Sequence, residues 1–152
     1  MAKIFRTMNT HQPVDLLMHI KEITSSNPEV NVFVGTDSQN YHQTTVYVST
    51  VVLRYHNNGA HVLYQKEKVK KITDRWTRLW DELNRSIELA GYLRNEGGIH
   101  VSQIDLDFNS DPKFFSHKLL PAAMGYVQSM GYRARSKPDL LMATWAANVL
   151  CN

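Results

Sequence analysis

Residues 31–40 read NVFVGTDSQN. Val32, Phe33 and Val34 make the apolar run of a buried strand, and Gly35-Thr36 carry it directly into a carboxylate, Asp37. An acid at the end of a core strand has two readings. It opens a turn, because Asp bonds readily to its own backbone, or the strand delivers a metal ligand to the edge of a sheet. The segment by itself favours the turn. The rest of the chain shifts the balance.

A chain of 152 residues suits one domain spanning 1–152 with a sizeable core. Its 43% hydrophobic and 20% charged residues exclude a disordered chain. The formal charge of +3 and a pI near 9.0 mildly favour an anionic partner. The lone cysteine, Cys151, excludes an internal disulfide and fits a reducing compartment. No apolar run approaches the ~18 residues of a membrane span, and the opening MAKIFRTMNTHQPV has no apolar core of a signal peptide. The expectation is a cytoplasmic protein without a membrane partner.

Outward from residue 31 the pattern is that of an α/β fold. Upstream, Thr10 caps a helix with Pro13 in its first turn, and Val14, Leu17, Met18 and Ile20 follow at helical spacing. Downstream, residues 44–55 (TTVYVSTVVLRY) are rich in β-branched and aromatic side chains. Asn58-Gly59 then turns a hairpin into a third strand near 60–70. From Thr73 the period becomes helical, with a stripe of Trp76, Leu79, Trp80, Leu83, Ile87 and Ala90 that NEGG terminates. A fourth strand (99–108), a helix opened by Asp111-Pro112, a fifth strand (131–138) and a closing helix complete the order. Crossover helices make neighbouring strands parallel. The predicted sheet has five strands and is mixed, with the first strand central, strands one, four and five parallel, and strand two antiparallel. An extra helix precedes it.

Ligands of open α/β sheets gather beyond the carboxyl ends of the parallel strands. Asp37 follows strand one, Asp105 and Asp107 end strand four, and Asp139 follows strand five, so all converge on one edge. Two carboxylates ~5 Å apart repel by about 3 kcal/mol at an effective dielectric of ~20. Divalent metal removes that cost, and hard oxygen ligands suit Mg²⁺ or Mn²⁺. Two ions ~4 Å apart can hold an attacking water and a leaving oxygen for phosphodiester cleavage. The long helix offers Asp81, Glu82 and Glu88. With Leu83 at the centre of the stripe, Glu82 falls at about −100°, flanking the buried face near Ser86, whereas Glu88 at about 140° and Asp81 at about 160° point to solvent. Glu82 is therefore the predicted fourth element of the cluster.

FVGTDSQ, RLWDELNRSIELAGYL, DLDFNSDPKFFSHKL, GYVQSMGYRARSKPD and the closing ATWAAN, in this order from Val32 to Asn148, resemble the YkuK family of RNase H-like nucleases. The resemblance implies an RNase H-like fold, Asp37, Glu82, Asp107 and Asp139 as the metal-binding and catalytic set, two Mg²⁺ or Mn²⁺ ions, and RNA, DNA or their hybrid as partner. One departure stands out. The family's last helix carries an Ala-Asp pair where this chain has Ala147-Asn148. Asp139 and residue 148 are nine positions apart, ~13 Å along a helix, and Asp139 is the better placed for the strand end. The departure also admits a second expectation, an RNase H-like module with weak or no catalysis that binds nucleic acid or a protein.

Other features read as structure. No pair among the seven histidines has zinc spacing, although His117 is a candidate for proton transfer. Lys66, Lys68, Lys70 and Lys71 read as a soluble strand end, extended toward nucleic acid by Arg75 and Arg78. Ser38 has no histidine partner in sequence, which argues against a serine hydrolase.

Overall fold

The computed structural model describes residues 2–56, 59–109, 115–137 and 142–151. Its elements are β1 (Ile4–Thr7), β2 (Pro13–Asp15), α1 (Leu16–Ser26), β3 (Asn31–Tyr41), β4 (Thr44–Arg54) and β5 (Ala60–Lys70). They continue with α2 (Arg75–Gly97), β6 (Gln103–Asn109), a 3-10 turn (Phe115–Lys118), α3 (Leu120–Ser129), β7 (Ala134–Lys137) and α4 (Met142–Cys151). The sheet has seven strands rather than five, in the order β2-β1-β5-β4-β3-β6-β7.

The two additional strands form a hairpin in which Ile4, Phe5 and Arg6 oppose Asp15, Val14 and Pro13. Arg6↔Tyr64 and Thr7↔Leu63 lay it on the outer edge of β5. Strands of four and three residues are too short to announce themselves by alternation. Pro13, which in sequence marks a helix start, is equally at home at the first residue of an edge strand, where no N–H is needed. Thr10 consequently caps nothing. Its hydroxyl meets that of Thr7 at 2.6 Å in the turn, and Asp15 caps α1 by accepting from the Met18 N–H at 3.1 Å.

Parallel pairing joins β3 to β6 and β6 to β7, and the other four ladders are antiparallel. The middle of the sheet is β4, not the strand expected there. Nor does β3 end at Thr36. It pairs with β4 without a bulge from Asn31↔Arg54 to Tyr41↔Thr44, so that Asp37 lies inside the ladder opposite Val48. The connecting loop is His42-Gln43, with His42 at φ 54°.

Alternation along the strands sorts the helices onto two faces. Val34, Val51, Leu63, Ile104 and Leu106 share a core with α1, α2 and α3. Val48, Val52 and Tyr64 look the other way and pack on Ala143, Ala146, Ala147 and Leu150 of α4. Asp74 caps α2 by accepting from the N–H groups of Trp76 and Thr77, and Gly98 in the left-handed conformation closes it. Trp76 and Trp80, expected on the buried stripe, are only half-buried. The helix expected after Asp111-Pro112 begins later, at Leu120 behind the 3-10 turn. Asn58, Asp111, Pro112 and Asp139 lie outside the described residues. No described helix is long and apolar enough to cross a membrane.

Candidate metal centre

The parallel ladder between β3 and β6 ends at Gly35↔Asp105. Two residues further on each strand come Asp37 and Asp107, which share the face of that last pair because side chains repeat every second residue. It is the face of α4, since Val48 opposite Asp37 packs on Ala147 and Asp105 reaches the α4 backbone. Beyond Gly35, β3 keeps β4 as partner but not β6. That uncovered edge admits a side chain from the opposite layer, and Glu82 of α2 supplies it. One carboxylate oxygen from each of Asp37, Glu82 and Asp107 lies within 4.8 Å of the others.

Small hydroxyls fix this meeting. Thr36 Oγ1 lies 2.8 Å from Ser86 Oγ, one turn beyond Glu82, and 3.2 Å from Ser49 Oγ. These contacts set the rotation of α2 against the sheet. Ser38 then binds both neighbouring acids. Its N–H donates to Asp37 Oδ1 at 2.8 Å, and its hydroxyl donates to Glu82 Oε2 at 2.5 Å. Sequence reasoning considered Ser38 only as a nucleophile and missed this positioning role. A small hydroxyl directly after the acid was the available signal.

Glu82 is buried. Desolvation, then the Asp37 charge, hold its carboxyl well above the ordinary range, against the Ser38 hydrogen bond and Arg78, which pull it down. Its other oxygen, Oε1, is buried and has no hydrogen-bond partner. An ionised acid in this setting costs free energy that Ser38 and Arg78 offset only in part. Three hard oxygen donors with one of them orphaned are the donor set of a divalent cation such as Mg²⁺ or Mn²⁺, so the residues present fit the metal that the sequence implied.

The remaining acids divide clearly. Asp105 points to the same face as Asp107, yet it is a structural group: Oδ1 accepts from Gln103 Nε2 at 2.6 Å and Oδ2 from the Ala143 N–H at 2.9 Å. It therefore caps α4, and burial raises its carboxyl. Asp81 does not face solvent as its helical angle predicted. It accepts the Tyr47 hydroxyl at 2.8 Å, because β4 runs beneath the first half of α2. Glu88 is exposed, as expected. His117 lies in the 3-10 turn and is half-buried. The Cys151 thiol is pushed up to about 12 by burial and then by Asp37 and Glu82, which leaves it protonated. Cys151 itself is close enough to the carboxylates to feel their charge, a proximity that distance along the chain concealed.

No curated protein matches the chain. A protein-family profile described as Ribonuclease H-like matches residues 15–151. The match takes in β3, α2 and β6, which bring Asp37, Glu82 and Asp107 together, and the mixed α/β architecture accords with it. The chain therefore belongs to the ribonuclease H-like family, the YkuK family.

Proposed function

We propose that this chain is a divalent-metal-dependent nuclease that hydrolyses phosphodiester bonds in RNA or DNA. The observation that carries the proposal is the buried, unpartnered Glu82 Oε1 in a group of three carboxylates within 4.8 Å. Asp37, Glu82 and Asp107 would hold the metal, and Asp139 is proposed as the fourth ligand. Two divalent ions, when bound, supply an activated water and steady the departing oxygen. Ser38 keeps Asp37 and Glu82 oriented through one N–H and one hydroxyl. Arg78, whose charge already favours the ionised form of Glu82, is proposed to meet a substrate phosphate.

The test is cleavage of labelled single-stranded, duplex and hybrid substrates with Mg²⁺ or Mn²⁺ against EDTA. Wild type should cleave only with metal, and Asp37→Asn and Glu82→Gln should each lose 10²-fold or more in rate, about 2.7 kcal/mol of barrier. Glu88→Gln should stay near wild type. Equal losses for Glu82→Gln and Glu88→Gln would contradict the assignment. Asn148 at the family's Asp position favours one other reading, a binding module with little chemistry, which metal-independent binding without cleavage would support.

A further inference from the structure

The three central strands continue past the carboxylates, and their uninterrupted registers determine what stands beside the site. On one face, Asp37, Val48 and Lys66 form a rung, Gln39, Val46 and Lys68 the next, and Tyr41, Thr44 and Lys70 the last. Directly paired residues share a face, so these lysines point to the same side of the sheet as Asp37. Glu67 and Asn40 point to the other. Glu67 pairs there with Arg85. Asn40 Nδ2 donates to the Ile72 carbonyl at 3.1 Å, while the Ile72 N–H donates to Thr45 Oγ1 at 2.9 Å. The segment after β5 thus pins one face of the protruding end; on the Asp37 face the α4 cluster reaches Val46, and beyond it Tyr41, Lys68 and Lys70 are exposed.

That face is a platform of one aromatic ring and two cations. Tyr41 is 58% exposed, and His42 meets its ring edge-on at 5.1 Å between centroids. Lys68 and Lys70 are exposed, two strands away at ~10 Å. Tyr41 lies four residues beyond Asp37, ~14 Å along β3, which is about four nucleotides at ~3.4 Å each. An exposed aromatic with flanking cations is the arrangement that stacks a base and tracks a phosphate backbone. A stacking ring needs a base whose face is free, which a duplex interior does not offer.

We infer that the Tyr41–Lys68–Lys70 face binds single-stranded nucleic acid and leads it to the carboxylates. The inference rests on the nuclease reading for the purpose of the surface, but its test does not need chemistry. Fluorescence anisotropy in EDTA, where no metal-dependent cleavage occurs, compares a labelled pyrimidine 20-mer with a duplex and an RNA–DNA hybrid of equal length. Wild type should bind the single strand most tightly. Tyr41→Ala should weaken single-strand binding at least fivefold, the ~1 kcal/mol lower bound for one stacked base, and change duplex binding less than twofold. Tyr41→Phe should restore it. Lys68→Glu with Lys70→Glu should weaken single-strand binding and reduce the salt slope by about 1.4, ~0.7 per lost phosphate contact. Thermal melting of each variant establishes that it is folded. Unchanged binding by Tyr41→Ala or by the lysine variant would overturn the inference, and so would tighter binding of duplex or hybrid than of single strand. Loss of binding in these variants together with a wild type that never cleaves would sink the nuclease reading and leave this surface standing.

Discussion

Ser38 shows how much of the site rests on one small side chain. It gives an N–H to Asp37 and a hydroxyl to Glu82, and so holds together two acids that would repel if both were ionised without metal. Glu82 bears the cost. In the folded, metal-free state it keeps a proton that the unfolded chain has already released, because burial and Asp37 raise its carboxyl. The contribution of this group is therefore fully present below the ordinary carboxylate pKa and is lost as pH rises through the folded value. Melting in EDTA should show stability falling with pH over that interval, and Glu82→Gln should flatten the fall. At neutral pH without metal, Asp37→Asn and Glu82→Gln should melt at or above the wild-type temperature, and Mn²⁺ should stabilise wild type alone. A marked loss of stability in metal-free Asp37→Asn would make Asp37 a structural residue of the strand instead. The identity of Glu82 was legible in sequence, because a helical stripe fixes rotation. Its hydrogen-bond partner was not, since a hydroxyl carries no pattern of its own.

Among the elements, α2 was readable and α4 was not. Twenty-three residues from Arg75 to Gly97 repeat the helical period often enough to place Glu82 beside Ser86. Helix α4 has ten residues of almost uniform apolarity, and its first turn is held by Asp105, four elements upstream in the chain. Asp105→Ala should therefore cost about 2 kcal/mol, the range for a hydrogen bond to a charged group. Asp105→Asn, which keeps an acceptor for the Ala143 N–H, should cost less in denaturant titrations. The departure from the family's Ala-Asp pair makes Asn148→Asp informative. With Asp139 as the proposed fourth ligand, the added carboxylate should change Mn²⁺ affinity less than threefold by calorimetry, and a clearly tighter site would move that role to position 148. A second contact invisible in sequence joins α1 to β5, where His19 Nε2 and His61 Nε2 lie 2.9 Å apart. Burial, then His19, lowers the His61 pKa below 6.5. The unfolded chain takes up a proton first as pH falls, so this contribution is present at neutral pH and lost below about 6.5. His61→Gln should reduce the acid-side fall in melting temperature, and an unaltered fall would locate the sensitivity elsewhere.

At the scale of the whole molecule, the core strands β3 to β7 follow from alternation and turn chemistry, whereas the β1–β2 hairpin does not. Seven residues cannot establish a period of two, and their pairing is decided by the β5 edge they cover. The same limit hid the length of β3. Gly35, Thr36 and Asp37 look like a strand ending in a turn, yet β4 opposite them supplies partners to Tyr41. The acid is therefore neither a turn residue nor a strand terminus. It stands where one neighbour of a continuing strand has departed, and that vacancy in the ladder is what lets α2 send Glu82 across to Asp37 and Asp107. The site is thus a consequence of the topology, and on the proposed reading three carboxylates from two layers would hold a divalent cation. Anomalous diffraction from a Mn²⁺-soaked crystal tests it most directly. Manganese should be found on Asp37, Glu82 and Asp107, with Glu82 Oε1 a ligand. Manganese elsewhere, with Glu82 still bonded to Ser38 and its second oxygen unbound, would contradict it.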